Sequence, residues 1–328
     1  MRLGKPVFRF YLGIALSVLL IMLSGCSTVG QSISNSRNAS GIGDSYYEQR
    51  DRLLNNNRAS VGDPDTAFKA LPEMSNNDFE RLGDTYFRNS NYPMALVNYE
   101  NALKTDPENL RVLYKKGLLF LAARLNEDAE RIFQAVIQKR PDFSGAHEGL
   151  GQALFQMKKF DKAESSFQRS IALNPKLWKA HNYLGNIYDY RGQYQNAEDE
   201  YFLAISCNPG EGLLYHNLGV SYFLAEKYED AVGALCRAIE RGWREPKTYN
   251  ALGLALWKLG RHDEAFEEFK KAGDIGKAYN NVGVLYLADG RYDEAIRSFE
   301  MAVESSPTFY AKANENLRKA KPLLKERQ

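Results

Sequence analysis

Few residues of this chain could form a metal centre or a disulfide framework. Its 328 residues include only three cysteines and four histidines. No C-x-x-C or H-E-x-x-H pattern occurs, and no two histidines have the spacing that would let them share a metal on one helix. We therefore expect no metal site and no cofactor.

An excess of charge of one sign is also missing. The chain has 43 basic and 41 acidic residues, and three of the bases, Arg2, Lys5 and Arg9, lie among its first ten residues. Without these three the balance is 40 basic to 41 acidic residues, so the remainder is close to neutral. Binding to phosphate backbones depends on clustered basic residues. We therefore do not expect a nucleic-acid partner.

Motifs of catalysis are absent as well. The sequence contains neither a Gly-rich phosphate-binding loop nor a G-x-S-x-G nucleophile elbow. It is rich in aromatic residues, with 20 tyrosines and 17 phenylalanines, but most of them recur at equivalent positions along the chain, which is typical of core packing. These observations favour a non-catalytic binding protein without a small-molecule substrate.

The first 25 residues have the pattern of a signal peptide. A basic start precedes the apolar run Tyr11 to Leu23, whose 13 residues are too few for a permanent transmembrane helix. The run ends in Leu-Ser-Gly-Cys26, which resembles the lipobox of bacterial lipoproteins. The resemblance implies cleavage before Cys26 and a covalent lipid on its thiol. In such lipoproteins, an Asp directly after the lipidated cysteine directs sorting to the inner membrane. This chain has Ser27 at that position, which implies a lipid anchor at the periplasmic face of the outer membrane. An ordinary signal peptide with a chance cysteine remains the alternative.

Residues 26–75 differ from the rest of the chain in composition. They are rich in Ser, Asn, Gly and Arg and have few large apolar residues, which predicts a flexible tether. A coil of this length typically spans about 40 Å. Within this segment, Asp44–Asn55 could form a short helix that docks on the rest of the chain or on a partner. The alternative is a transient helix in a linker.

Glycine and alanine recur with a fixed period through most of the chain. Counting the first residue of each repeat as position 1, glycine occupies position 8, at Gly83, Gly117, Gly151, Gly185, Gly219, Gly253 and Gly283. Alanine occupies position 20, at Ala95, Ala129, Ala163, Ala197, Ala231, Ala265 and Ala295. The intervals between these glycines are 34 residues, except the last, which is 30. The pattern predicts seven repeats over residues 76–309, at 76–109, 110–143, 144–177, 178–211, 212–245, 246–275 and 276–309.

The fourth repeat shows what the pattern achieves. Gly185 and Ala197 are small enough for two antiparallel helices to approach closely. Tyr188 and Tyr201 fill the space between these helices, and Pro209 ends the second one. The pattern resembles the tetratricopeptide (TPR) repeat, a helix–turn–helix unit of 34 residues. The resemblance implies an all-α fold, an α–α superhelix (TPR solenoid) of seven repeats.

Two features near the C terminus depart from the regular repeat. In the sixth repeat the second helix is predicted from Glu264 to Ala272 and runs into Gly273, so we expect a short helix and a local change of superhelix pitch. After the last repeat, residues 310–328 predict a polar capping helix, which Pro322 should end, and a tail. An array needs such a helix to cover its open apolar end.

The repeat register also places the cysteines and histidines. Cys207 lies at position 30 and is expected to be a small buried hydrophobe, whereas Cys236, at the generally polar position 25, should be more exposed. A disulfide between them is conceivable in an oxidising compartment, although their offset of five positions makes the approach awkward. His147 and His181 occupy position 4 and are expected in packing roles.

The resemblance further implies that positions 2, 5, 9 and 12 face a concave peptide-binding groove. The candidate groove residues are Lys179, Asn182, His216, Lys247, Asn250, Trp257, Lys277 and Asn280. An asparagine amide both donates and accepts hydrogen bonds, as a peptide backbone requires, and the lysines could meet acidic groups. The N-terminal repeats offer Glu80, Asp84 and Glu148 instead, so a partner that engages both halves should be oppositely graded in charge. A merely solvated polar face is the alternative.

A lipid-anchored periplasmic array resembles the TPR lipoprotein of tight-adherence (Flp) pilus systems and the type IV pilus pilotin. Residues 277–317 carry most of this likeness. The resemblance implies a scaffold that helps to assemble a secretin-type pilus or secretion machine by binding partner segments in its groove. Two other functions stay open: an adaptor that links a periplasmic protease to cell-wall hydrolases, and a structural scaffold of another envelope complex.

Overall fold

The structure is a computed structural model, and it describes residues 74–104, 106–305 and 311–325. These residues form fifteen α-helices and no β-strand. The first helices of the seven repeats are α1 (Asn76–Arg88), α3 (Leu110–Ala122), α5 (Ser144–Gln156), α7 (Trp178–Tyr190), α9 (Gly212–Leu224), α11 (Pro246–Lys258) and α13 (Ile275–Ala288). The second helices are α2 (Tyr92–Ala102), α4 (Asn126–Lys139), α6 (Phe160–Leu173), α8 (Tyr194–Cys207), α10 (Tyr228–Glu240), α12 (His262–Ala272) and α14 (Tyr292–Glu304), and α15 (Ala311–Lys325) follows them. The predicted all-α fold of paired helices is confirmed.

The described helices belong to two compact units, an N-terminal unit of residues 74–187 and a C-terminal unit of residues 188–325. Within each unit, most consecutive helices pack against each other. None of the described helices combines the length and the apolar character that crossing a membrane requires. The predicted signal peptide, Cys26 and the segment Asp44–Asn55 lie outside the described residues.

At the glycine of position 8, the two helices of a repeat pack too closely for a larger side chain. An added Cβ at Gly253 would lie 2.6 Å from the ring of Phe269, which is fully buried at position 24. Equivalent contacts of 2.6 or 2.7 Å occur at Gly83, Gly117, Gly151, Gly219 and Gly283. The predicted reason for the small residue, close approach of antiparallel helices, is therefore confirmed in both units.

A left-handed residue ends the first helix of every repeat. Position 15 has a positive φ throughout, at Ser90, Arg124, Lys158, Gly192, Glu226, Gly260 and Gly290. The N–H of the next residue donates to the carbonyl oxygen at position 11 over 2.8–3.0 Å, as Lys227 does to Tyr222. This is the six-to-one bond of a Schellman motif, which satisfies a carbonyl group at the end of a helix.

The side chain at position 4 links successive repeats. His147 and His181 place Nε2 3.0 and 3.1 Å from the carbonyl oxygens of Pro141 and Pro175, six residues earlier. In the C-terminal unit the Tyr215 hydroxyl donates to the carbonyl oxygen of Pro209 over 3.2 Å. The two histidines therefore have structural roles in the turn between repeats.

Two expectations for the C-terminal repeats meet different outcomes. The helix α12 is short, as predicted, with 11 residues against 14 in α8; the change of superhelix pitch stays a prediction. The expectation that Pro322 ends the last helix is wrong, because α15 continues to Lys325. Proline lacks one N–H donor, but the fully buried Ala320 and the half-buried Leu323 keep the last turn packed.

The predicted exposures of the two cysteines are reversed. Cys207 is exposed, because it is the last residue of α8 and lies beside the turn. Cys236 is half-buried and packs against the core around Leu235 and Phe269. Neither thiol is in a disulfide.

Candidate functional site

The predicted groove residues are divided between the two units. Lys179 and Asn182 lie on α7 in the N-terminal unit. The other six lie on the first helices of the last three repeats in the C-terminal unit, at His216 on α9, at Lys247, Asn250 and Trp257 on α11, and at Lys277 and Asn280 on α13.

The side chains at position 5 are less exposed to solvent than those of an open groove would be. The exposed fraction is 6% for Asn182 and His216 and 2% for Asn280, whereas Asn250 is half-buried. His216 places Nδ1 3.2 Å from the Thr248 hydroxyl at a buried contact. Burial, together with the nearby Lys247 ammonium, lowers the pKa of His216 to about 3, so the imidazole is neutral at physiological pH.

The two asparagines of the C-terminal unit bind to other asparagines. The Asn281 amide donates from Nδ2 to Oδ1 of Asn250 over 3.3 Å, joining α13 to α11. Asn316 on α15 donates to Oδ1 of Asn280 over 2.9 Å. Among the described residues, the Nδ2 group of the half-buried Asn250 forms no hydrogen bond, so it can donate to a ligand.

The three lysines at position 2 lie on α7, α11 and α13 and make local contacts. The Lys247 ammonium lies 5.2 Å from the centroid of the Trp243 ring, at cation–π distance. Lys277 is exposed and pairs with Asp274 over 3.2 Å. Lys179 is exposed and lies 5.6 Å from the centroid of the Trp178 ring. The exposed Lys179 and Lys277 can therefore meet an anionic partner, whereas the half-buried Lys247 is less accessible.

Trp257 is part of an aromatic cluster and not an open wall of the groove. It is 5% exposed, stacks on His262 at a centroid distance of 4.1 Å, and meets Tyr286 edge-on at 4.8 Å. Its indole N–H donates to Asp289 over 3.2 Å. The cluster fixes α11 against α12 and α13, so Trp257 positions the groove helices.

Two of the three acidic residues predicted for the N-terminal groove, Glu80 and Asp84, form ion pairs within the molecule. Glu80 is 5% exposed and forms ion pairs of 2.6 Å with Arg111 and 2.7 Å with Lys115. Asp84 pairs with the same Lys115 over 2.6 Å. At the half-buried Glu148, burial raises the pKa of the carboxyl group. The acidic character that the sequence suggests for this half is therefore largely cancelled at Glu80 and Asp84.

The sequence pattern missed the residues that support position 5. Asn281 occupies position 6, Thr248 position 3, and Asn316 lies outside the repeats. The sequence does contain a signal for Asn281. Position 6 holds an asparagine in only one other repeat, at Asn217 after His216. Among the described residues, no group of three or more His, Cys, Asp or Glu side chains is arranged to hold a metal ion.

Comparisons with known proteins agree on the repeat. A family model described as tetratricopeptide repeat matches residues 80–142, 114–177, 148–211 and 216–277. A second model with the same description matches residues 276–309.

One curated relative and two solved structures illustrate the range of similar proteins. Human Superkiller complex protein 3 is 28% identical over 100 residues, which are 30% of this chain but only 6% of the relative. A tetratricopeptide repeat protein from Parabacteroides merdae is 15% identical, with 75% of this chain and 98% of that chain covered and a TM-score of 0.53. PilW, a widely conserved type IV pilus biogenesis factor, is 19% identical, with 68% and 97% covered and a TM-score of 0.55. The two structures share the fold with this chain.

Proposed function

This chain belongs to the tetratricopeptide-repeat family, and from that premise we propose that it binds extended segments of partner proteins on the first helices of its C-terminal repeats. Tetratricopeptide-repeat proteins are protein-interaction scaffolds. The observation that carries the proposal is the arrangement on α11 and α13. There, the half-buried Asn250 is held by Asn281 at its carbonyl oxygen and keeps its Nδ2 donor. The half-buried Lys247 lies one helical turn earlier, and among the described residues its ammonium has no carboxylate within ion-pair distance.

This arrangement suits a peptide backbone with a nearby carboxylate. An amide that is already fixed at one end loses little side-chain entropy when it donates to a peptide carbonyl. Lys247 then supplies a charge for an acidic side chain or a terminal carboxylate. His216 is neutral and buried beside Lys247, so it supports the helix face without repelling the ammonium.

A second, more specific proposal concerns where the chain is located in the cell and which assembly process it serves. We propose that the chain is anchored at the outer membrane through a lipid on Cys26 and helps to assemble a secretin-type pilus or secretion machine. The Leu-Ser-Gly-Cys26 pattern and the likeness of residues 277–317 to pilus-associated lipoproteins support it. The similarity to PilW supports only a shared fold.

The test is crosslinking of the full-length protein in its native envelope, followed by purification and mass spectrometry of its partners. The informative variant is Lys247→Ala with Asn250→Ala, because neither side chain is fully buried. The matched control is Lys312→Ala with Asn196→Ala, which removes one exposed lysine and one exposed asparagine elsewhere in the C-terminal unit. We expect the first variant to lose partners that the control retains.

Each result of this experiment bears on the proposal. Equal recovery of partners by the wild type and the Lys247/Asn250 variant contradicts binding on this surface. Recovery of a secretin or of pilus components supports the assembly role. Recovery of a protease with cell-wall hydrolases instead favours the adaptor function and overturns the pilus proposal.

A further inference from the structure

The second helix of the first repeat, α2, is buried on all sides. None of its residues from Tyr92 to Ala102 is exposed, and Val97, at position 22, is only 1% exposed. The second helices of the other repeats all have exposed residues. Position 22 is exposed in each of these six helices, at Arg131, Ser165, Asp199, Gly233, Glu267 and Arg297.

Val97 points away from the core that the first two repeats share. Ala95, Tyr99 and Ala102 of the same helix belong to that core. An α-helix turns by about 100° per residue, so Val97 lies roughly opposite these three residues. The neighbouring helices α1 and α3 pack on the core side of α2. Because the structure holds a single chain, another part of this chain must cover Val97.

We call the surface around Val97 the outer face of α2 and define it by positions 18, 22 and 25, which hold Pro93, Val97 and Glu100. All three positions are exposed in α4 and α6, whereas none is exposed in α2. Glu100 pairs with Lys116 over 3.0 Å, so its charge is already compensated. The covering segment should therefore be apolar, because a polar group buried here without a partner would cost free energy.

Only the N-terminal part of the chain has enough residues for this cover. The residues outside the described structure are 1–73, 105, 306–310 and 326–328. The 11 residues of α2 extend over about 16 Å. Residues 306–310 must join α14 to α15 in the C-terminal unit, and 326–328 are only three residues. The segment that covers α2 is therefore found among residues 1–73.

The segment Asp44–Asn55 has the pattern that this surface requires. Its pairs Tyr46–Tyr47 and Leu53–Leu54 are seven residues apart, so they share one face of the helix predicted there. Twenty residues, 56–75, connect the segment to the start of α1, which is ample chain to reach α2. We propose that Asp44–Asn55 docks on the outer face of α2 through its tyrosine and leucine pairs.

This docking has two consequences. It covers apolar surface at the N-terminal end of the repeats, as α15 does at the other end. It also leaves only residues 26–43 as a free tether, whose 18 residues span about 23 Å as a coil. The second consequence matters only with the proposed lipid anchor, whereas the docking itself depends on neither the anchor nor the proposed function.

Thiol labelling of the purified full chain in mild detergent tests the inference. Val97→Cys places a thiol on the outer face of α2, and Ser165→Cys places one at the same, exposed position of the third repeat. Peptide mass spectrometry reads maleimide labelling at each site, so the native cysteines do not interfere. We expect the Val97→Cys thiol to react at least about tenfold more slowly than the Ser165→Cys thiol. Equal rates would show an open face and overturn the inference.

The covering segment is identified by changes within the tether. Adding Leu53→Ser and Leu54→Ser to Val97→Cys should raise its labelling rate at least about tenfold. The matched control adds Val29→Ser and Ile33→Ser, which remove two apolar side chains outside the segment, and should keep the protection. Circular dichroism checks that the helices remain folded in both variants.

Two further outcomes would overturn the proposal. Protection that survives the Leu53 and Leu54 changes would show that another segment covers α2. Protection that disappears on dilution of the protein would assign the outer face to a second copy of the chain.

The labelling also separates this inference from the proposed function, because it requires neither a lipid nor a bound partner. If the Val97→Cys thiol is unprotected while partner crosslinking still depends on Lys247 and Asn250, the docking is wrong and the proposed function stands. If the thiol is protected and the Leu53 and Leu54 changes release it, but crosslinking does not depend on Lys247 and Asn250, the reverse holds.

Discussion

The hydroxyl of Ser221 donates a hydrogen bond of 2.6 Å to the carboxylate of Asp189, joining α9 to the end of α7. The Tyr201 hydroxyl donates to the other carboxylate oxygen over 2.8 Å. Position 12, which Asp189 occupies, holds a large apolar residue in all other repeats: Phe87, Leu121, Phe155, Phe223, Trp257 and Leu287. A polar contact between repeats therefore replaces an apolar one here.

This contact should make stability depend on pH. Burial raises the pKa of Asp189, and the two hydrogen bonds lower it by a smaller amount. The resulting pKa is about 6. The folded state therefore binds a proton more tightly than the unfolded state, whose carboxyl titrates near 3.8. The contribution of Asp189 to the free energy of unfolding should rise as pH falls from about 7 to about 4, by about 1–3 kcal/mol.

The comparison with Asp189→Asn isolates this effect from other titrating groups. The amide keeps the size of the carboxyl group but carries no charge. Its carbonyl oxygen can accept from one of the two hydroxyls, and its NH₂ group can donate to the oxygen of the other. The variant should be more stable than the wild type at pH 7, and the difference should shrink toward pH 4. Urea unfolding followed by circular dichroism at several pH values measures it. A difference that is constant with pH would show that Asp189 titrates normally.

How far the sequence predicts this molecule depends on the kind of contact. The pairing of Gly253 with Phe269 could be predicted because both belong to one repeat and their sizes recur. The burial of Asn280 could not, because its partner Asn316 lies on the helix after the repeats and follows no period. Similarly, Asp84 and Glu80 suggest an acidic surface until the structure shows Lys115 between them.

The close approach at position 8 predicts opposite effects for two glycine-to-alanine changes. Gly253→Ala should lower the free energy of unfolding by about 1–3 kcal/mol, because the new methyl group would overlap the buried ring of Phe269. Gly233→Ala, in the exposed part of α10, should raise it by about 0.5–1 kcal/mol, because the site has no neighbouring atom within 4 Å and alanine favours the helix. Urea denaturation of both variants provides the measurement. A stabilising effect of Gly253→Ala would contradict the tight contact.

The left-handed residues at position 15 predict a stabilising substitution. Glu226 is exposed and has φ of 61°, whereas Gly192, Gly260 and Gly290 occupy the same position in three other repeats. Glu226→Gly should stabilise the protein by up to about 1 kcal/mol, because glycine adopts this conformation without steric cost. Glu229→Gly, inside α10, removes the same charge but should destabilise by about 0.5–1 kcal/mol. Thermal unfolding of the two variants should therefore show melting temperatures displaced in opposite directions.

The lipid anchor gives the last prediction. Cys26 lies outside the described residues, so the proposal depends on the Leu-Ser-Gly-Cys pattern after the apolar run. Cys26→Ser should leave the chain without its acyl chains, each buried CH₂ of which contributes about 0.8 kcal/mol to membrane binding. We expect the variant to leave the membrane fraction when envelopes are separated by flotation in a density gradient. Cys207→Ser removes an exposed thiol from the C-terminal unit and should remain with the membrane. If the Cys26→Ser protein still floats with the membrane, another segment or a partner holds it there.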